Sequence, residues 1–189
     1  MTLIEIKKNK FDVNIDLRYS KKNNITGKKI FMENKCYLNN VAAEKLSTAS
    51  KIARNFKYKL KIFDAYRPKY VQEELWRLFP KSEFLTDPKK GSPHTRGIAV
   101  DLTLTKNNVE LDMGTDFDDF TEKAYHLSNN ITIECKKNRA LLLSIMTMAG
   151  FDFYHKEWWH YQLFNPKKFP LIEKLNQAEY STTSFTSGI

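Results

Sequence analysis

The segment from Gly91 to Leu104 limits the folds open to this chain more than any other stretch. Its second half alternates apolar with small or polar residues, which predicts a β-strand with one face in the core. The apolar face carries Ile98, Val100, Leu102 and Leu104, and the other face carries Ala99, Asp101 and Thr103. A carboxylate in such a strand is costly to bury unless a cation or hydrogen-bond donors meet it. The fold must therefore bring to Asp101 either a metal ion or an arginine, such as the nearby Arg96.

Two short motifs supply further metal ligands. His94 lies seven residues before Asp101, and Gly97 between them allows the backbone to turn so that both side chains reach one point. His160 is the second imidazole, and Glu157 is a spare carboxylate close to it. Two histidines and one aspartate, with a fourth position open for water and a base beside it, are the donor set of a mononuclear zinc hydrolase. We therefore predict one Zn²⁺ per chain, although other divalent ions also suit these ligands.

The spacing of Glu157 and His160 sets a geometric condition. Residues three apart in a regular strand point to opposite faces. We expect either that Glu157 lies in the turn before the strand or that a bulge redirects it. The simpler alternative is that His160 is a core histidine among Trp158, Trp159 and Tyr161, and that His94 caps a loop.

The order of the elements predicts one α+β domain with a central antiparallel sheet and flanking helices. A chain of 189 residues with 41% hydrophobic residues is long enough for one sizeable core. The catalytic domain is expected over residues 1–165, followed by a partly mobile tail over 166–189. Strands are predicted over residues 11–19, 58–62 and 98–104, from Phe151 and over 158–164, and helices over 41–56, 69–79 and 138–149. Loops are predicted over 80–93 and 113–128, the second leading into a short helix or turn.

Composition excludes several classes of protein. The net charge of +9 comes from lysines scattered among acidic residues, so we expect no nucleic-acid partner. No run reaches the roughly 18 apolar residues of a membrane helix, so no membrane partner is expected. Cys36 and Cys135 form no C-x-x-C pair and predict two reduced thiols, with a disulfide between them as the alternative. The first ten residues lack a signal-peptide core, which favours the cytoplasm, unless a signal has been removed from a periplasmic or secreted protein.

Several motifs together resemble the D-alanyl-D-alanine dipeptidases of the vancomycin-resistance type, which have a hedgehog-like D,D-peptidase fold. In chain order they are Asp16-Leu17-Arg18-Tyr19, Asn24-Ile25-Thr26-Gly27-Lys28, Asp64-Ala65-Tyr66-Arg67-Pro68-Lys69, Ser92-Pro93-His94-Thr95-Arg96-Gly97, Ala99-Val100-Asp101-Leu102-Thr103-Leu104, Met113-Gly114-Thr115-Asp116-Phe117-Asp118 and Glu157-Trp158-Trp159-His160-Tyr161. The resemblance covers about residues 16–163.

This resemblance implies zinc on His94, Asp101 and His160, and it implies Glu157 as general base and acid. It also implies that Arg67 stabilises the oxyanion. Substrate-binding roles fall to Asp118, Tyr19 and Ser92, which would hold the terminal groups of a small dipeptide.

The resemblance leaves three functions open. The first is a zinc dipeptidase that cleaves D-Ala-D-Ala or a related D,D-dipeptide. The second is a D,D- or L,D-carboxypeptidase acting on longer peptidoglycan peptides, and the third is a zinc-bearing binding module without turnover. Such an activity is compatible with antibiotic resistance, nutrient recycling or wall turnover, and an oligomer is compatible with the sequence.

Overall fold

The main sheet carries the functional side chains. The computed structural model describes residues 2–173, and within them the main sheet has six strands in the order β2-β4-β5-β8-β7, with β6 paired to β5. A second sheet pairs β1 with β3. The strands are β1 (Leu3–Glu5), β2 (Asn14–Ile15), β3 (Tyr37–Asn39), β4 (Lys59–Asp64), β5 (Ala99–Lys106), β6 (Val109–Glu110), β7 (Asp152–Phe153) and β8 (His160–Gln162). All pairings are antiparallel except that of β2 with β4, which is parallel. The predicted α+β class with a mainly antiparallel sheet is confirmed.

Four α-helices accompany the sheets in this part of the chain: α1 (Lys8–Phe11), α2 (Asn40–Asn55), α3 (Lys69–Leu78) and α4 (Ile133–Met148). The α2 helix begins one residue before the predicted start at 41, and Asn39 caps it by accepting a hydrogen bond from the Val41 N–H. Its inward face is mostly alanine, so the helix packs closely on the core. The core contains residues of both long helices and of β4 and β5, among them Leu46, Leu142, Ile62 and Leu102.

One predicted strand was wrong, and one predicted helix was too short at its start. Residues 11–19 do not form one strand: Phe11 ends α1, Asp12 has a left-handed φ of 50°, and only Asn14–Ile15 pair with a neighbour. Short irregular pieces bury the alternate apolar residues equally well. The predicted helix over 138–149 starts at Ile133, because Thr132 caps it by accepting a hydrogen bond from Cys135 N–H. Its first turn is largely exposed, so it lacks the apolar periodicity on which the prediction depended.

The end of the chain is described in part. Residues 166–173 of the predicted tail contact the body: Arg96 donates a hydrogen bond to the Phe169 carbonyl, and Ile172 packs against Leu3 and Tyr66. The rest of that prediction falls on residues 174–189, which lie outside the described residues.

Two smaller observations bear on the class of protein. None of the helices over residues 2–173 has the length and apolar character needed to span a bilayer. Cys36 and Cys135 are both free and buried, as predicted for reduced thiols. Location in the cytoplasm stays a prediction.

Candidate metal centre and cleft

A row of three residues on adjacent strands forms the base of the site. Asp101 on β5 lies opposite His160 on β8 and, on its other side, opposite Asp64 at the end of β4. The β4–β5 register shifts between Ile62 and Asp64; continued without the shift, it would have placed Asp64 opposite Val100. The irregularity therefore brings two carboxylates and an imidazole into one line across the sheet.

His94 completes this cluster from a short 3-10 turn, His94–Arg96, just before β5. Gly97 ends the turn at a φ of +68°, and a Cβ at Gly97 would lie 2.9 Å from the Leu3 side chain. A larger residue there would therefore be both strained and crowded. The predicted need for a glycine between His94 and Asp101 is met by this conformation.

Three donor atoms converge at the cluster. His94 Nε2 lies 3.1 Å from His160 Nδ1, His160 Nδ1 lies 3.0 Å from Asp101 Oδ1, and His94 Nε2 lies 3.3 Å from Asp101 Oδ1. Ligands held at about 2.0–2.1 Å in a tetrahedral zinc site are about 3.3 Å apart. These residues therefore fit a small divalent cation with little movement, and the three side chains are all buried.

Each histidine is also oriented by a partner on its far ring nitrogen. His94 Nδ1 is 2.7 Å from the Ala65 carbonyl oxygen, which can only accept a hydrogen bond. His160 Nε2 is 3.0 Å from Gln162 Oε1, also an acceptor. A proton on each far nitrogen leaves a lone pair on the nitrogen that faces the cluster, as in protein metal sites. Burial opposes the charge on Asp101, but the nearby His94 and His160 outweigh it and lower the pKa of Asp101.

Glu157 lies at the edge of the cluster. It precedes β8 in a turn and its N–H bonds to the Tyr154 carbonyl, so the first of the two predicted geometries is the observed one. Its Oε2 is 3.8 Å from His160 Nδ1. Burial raises the pKa of Glu157 to about 8. A carboxyl group with a pKa close to neutrality, next to a cation site, is suited to proton transfer.

Arg67 lies just beyond β4 and meets the cluster at Asp101. Its Nε donates to Asp64 Oδ2 at 2.8 Å, and its Nη2 lies 3.5 Å from Asp101 Oδ2. The guanidinium also lies over the ring of Tyr19, at 4.9 Å from the centroid. Arg67, and not Arg96, is therefore the arginine that meets Asp101; Arg96 instead donates to backbone carbonyls.

One of the three aspartates in the 113–128 segment lies at the cleft. Asp118 is buried, has a φ of 63°, and accepts a hydrogen bond from the Tyr19 hydroxyl at 2.8 Å. Burial raises the pKa of Asp118 well above its usual range, although Arg67 acts in the opposite direction. Asp116 is instead exposed and near Arg18, and Asp119 bonds to Thr121.

The segment that carries Asp118 is fixed at both ends by one buried residue of α4. Arg139 donates from Nε to the Met113 carbonyl at 2.6 Å and from Nη1 to the Tyr125 carbonyl at 2.8 Å. Trp158 adds a third attachment, through its ring N–H to Thr115 Oγ1 at 2.8 Å. The loop predicted here is therefore a wall of the cleft that three hydrogen bonds attach to the body of the protein.

The cleft has a volume of about 280 Å³. Tyr19, Arg67, Ser92, Asp118, Glu157 and the three cluster residues all line it, so the structure brings together every site residue that the sequence predicts. Ser92 Oγ accepts a hydrogen bond from the His94 N–H at 3.2 Å. Another part of the wall is formed by residues 83–86, and the Glu83 side chain in this part bonds to Tyr125 and Lys156.

Sequence reasoning missed three residues that contact the site: Asp64, Gln72 and Gln162. Asp64 stands three residues before Arg67, and this short spacing could have indicated an ion pair between them. Nothing in the sequence indicated that Gln72 and Gln162 contact the site, because a single glutamine on a helix or strand usually faces solvent.

Comparison with known proteins gives consistent matches. A family model described as peptidase M15, D-Ala-D-Ala dipeptidase, matches residues 1–179. The chain is 38% identical over 162 residues to the D-alanyl-D-alanine dipeptidase of Escherichia coli K12, covering 85% of this chain and 84% of that protein. It is 32% identical over 173 residues to the protein of the same name from Enterococcus faecium, covering 78% of this chain and 84% of that protein. For the Enterococcus faecalis protein, also of that name, the identity is 30% over 175 residues, covering 79% and 85%.

Proposed function

The chain belongs to the D-Ala-D-Ala dipeptidase family of M15 peptidases, and we infer that it is a metallopeptidase that hydrolyses D-Ala-D-Ala to two molecules of D-alanine. The observation that carries this inference is the triangle of donor atoms of His94, Asp101 and His160, with Glu157 next to His160 and Arg67 next to Asp101. A small dipeptide matches a cleft at the lower end of the usual volume range of ligand sites.

We propose Zn²⁺ as the metal, one ion per chain, because two imidazoles and one carboxylate with tetrahedral spacing suit zinc. When bound, such an ion lowers the pKa of a coordinated water toward about 7 and polarises the peptide carbonyl. Elemental analysis of the purified protein is expected to find one zinc per chain. A different ion at full occupancy would contradict this choice of metal.

Gln162 provides a test of the site that does not depend on activity. Gln162→Leu removes the acceptor on His160 Nε2, so the imidazole is no longer held with its lone pair toward the cluster. Loss of such a partner typically weakens metal binding about 10–100-fold. Titration against a competing zinc chelator measures the change. Gln162→Glu keeps the acceptor and is the matched control; equal affinity of the leucine variant and the wild type would refute this role.

The protein side chains divide the work of hydrolysis between them. Glu157 accepts a proton from the water that attacks the carbonyl carbon, and donates it to the nitrogen as the C–N bond breaks. Arg67 donates hydrogen bonds to the carbonyl oxygen as it gains negative charge. Two of its five N–H groups are committed to Asp64 and Gln72. The remaining N–H groups can donate to the substrate, because Arg67 lines the cleft.

Asp118 is proposed to bind the free ammonium of the dipeptide, with Tyr19 holding the carboxylate in place. The left-handed backbone at Asp118 is a conformation that aspartate tolerates better than most residues. A buried carboxylate at the wall of a small cleft is a suitable counter-charge for an ammonium group. Ser92, which also lines the cleft, is proposed to bind at the other end of the substrate.

This assignment predicts a strong requirement for a free amine. D-Ala-D-Ala is expected to be cleaved at least about 10-fold more efficiently than N-acetyl-D-Ala-D-Ala, because a hydrogen bond to a charged group contributes about 1.5–3 kcal/mol. Asp118→Asn should reduce this preference, and the measurement is kcat/KM for both substrates. Metal-loaded protein that releases no D-alanine from the dipeptide would overturn the proposed activity. Equal cleavage of the blocked substrate would instead support the carboxypeptidase alternative.

A further inference from the structure

Gln72 on α3 is a fully buried glutamine, with 1% of its surface exposed. An amide is costly to bury unless its oxygen and nitrogen are both hydrogen-bonded. Its inward neighbours on the helix, Val71 and Leu75, are apolar and fully buried, so the position itself would accept an apolar side chain. An amide at this position is therefore expected to make specific hydrogen bonds that an apolar side chain could not make.

Both ends of this amide are occupied, and its two partners belong to different parts of the cleft. Gln72 Oε1 accepts a hydrogen bond from Arg67 Nη1 at 2.9 Å. Gln72 Nε2 donates to the Thr86 carbonyl at 2.8 Å. The Thr86 carbonyl oxygen can only accept a hydrogen bond, so the NH₂ end of the Gln72 amide must face Thr86. The amide oxygen of Gln72 therefore faces Arg67. Thr86 and Arg67 both line the cleft.

The guanidinium of Arg67 lies between two competing carboxylates. Asp64 Oδ2 is bonded to Nε at 2.8 Å, and Asp101 Oδ2 is 3.5 Å from Nη2. Asp101 is one of the cluster residues, so a guanidinium that turned toward it would engage the metal ligand instead of the substrate. Gln72 bonds the remaining Nη1 edge, and it does so without adding a third negative charge.

We propose that Gln72 is a positioning residue that holds the Arg67 guanidinium in the orientation in which it meets the substrate carbonyl, and that links it to the cleft wall at Thr86. This inference rests on the proposed function, because it gives the Arg67 contact a catalytic meaning. Misplacement of an oriented group by about 1 Å lowers rates by about 100-fold. Removal of a whole oxyanion donor lowers kcat by about 10²–10³-fold. This factor is the upper limit for the loss of kcat expected on replacing Gln72.

The test uses the full-length, metal-loaded protein with D-Ala-D-Ala. Gln72→Leu is expected to lower kcat about 10- to 100-fold, with the metal content unchanged. Val71→Ala on the same helix is the matched control, since it disturbs packing but removes no hydrogen bond of Arg67. We expect it to lower the melting temperature and to leave kcat close to that of the wild type.

A double-mutant cycle separates positioning from a general structural effect. In an Arg67→Met background, Gln72→Leu should cause no further loss of kcat, because the group that it positions is gone. Gln72→Glu keeps the acceptor for Arg67 but repels the Thr86 carbonyl. It should raise KM more than it lowers kcat, and it provides a second route if the leucine variant does not fold.

The outcomes are distinguishable. A wild-type protein without dipeptidase activity refutes the proposed function itself. An active wild type with an unaffected Gln72→Leu variant, or with effects that multiply in the Arg67→Met background, refutes the positioning role alone.

Discussion

Replacing Glu157 by glutamine is expected to lower kcat by about 10²–10⁴-fold, the range that a general acid–base group contributes. The glutamine side chain has nearly the same shape as glutamate but cannot accept a proton. It leaves His94, Asp101 and His160 intact, so the metal content and the melting temperature should stay near those of the wild type. Steady-state kinetics with D-Ala-D-Ala, together with elemental analysis of the same sample, measures both effects.

The position of Glu157 explains why no other carboxylate is expected to substitute for it. Its Oε2 lies 3.8 Å from the cluster, and burial raises its pKa to about 8. Glu83 also lines the cleft, but Lys156 and Tyr125 bond its carboxylate. Glu83→Gln is therefore the matched control, and since exposed ion pairs contribute about 0–1 kcal/mol, its effect should stay within about fivefold. A Glu157→Gln variant of nearly full activity would require another base.

Replacing Asp101 by alanine is expected to abolish both metal binding and hydrolysis. The change removes one of three donor atoms spaced 3.0–3.3 Å apart. It also removes a buried negative charge that faces His160 and Arg67. Leaving buried charges without their partner costs about 3–5 kcal/mol, so the free energy of unfolding should fall by a similar amount.

Metal titration and urea unfolding are the two measurements for this variant. Thr103→Val is the control, because Thr103 lies two residues farther along β5, is also buried, and has a hydroxyl without a hydrogen-bond partner among the described residues. The valine variant should retain metal and stability. An Asp101→Ala protein that binds one zinc ion as tightly as the wild type would show that the metal site lies elsewhere.

Much of this site could be predicted from the sequence because its chemistry depends on residue types at short spacings. Alternation along residues 98–104 separated Asp101 from the apolar face, and Gly97 indicated the turn that brings His94 back to it. The spacing of apolar residues is a local property of the sequence. It also gave the limits of α2, α3 and β4 to within one or two residues.

Other features depended on contacts between segments that are far apart in the chain. The register shift that sets Asp64 beside Asp101 depends on the pairing of β4 with β5. The resemblance had already named Asp118, but the reason that Asp118 faces the cleft while Asp116 and Asp119 do not is the way Arg139 and Trp158 hold the loop.

The sequence by itself determined which side chains can bind a metal, accept a proton and stabilise an oxyanion. Only the tertiary structure decided how they are held: the acceptors at Ala65 and Gln162 that orient the two imidazoles, and the amide of Gln72 that bonds Arg67. The physical reason is that a hydrogen bond between groups remote in sequence leaves no periodic pattern in either segment. It becomes visible only when strand register and helix packing have set the distance between them.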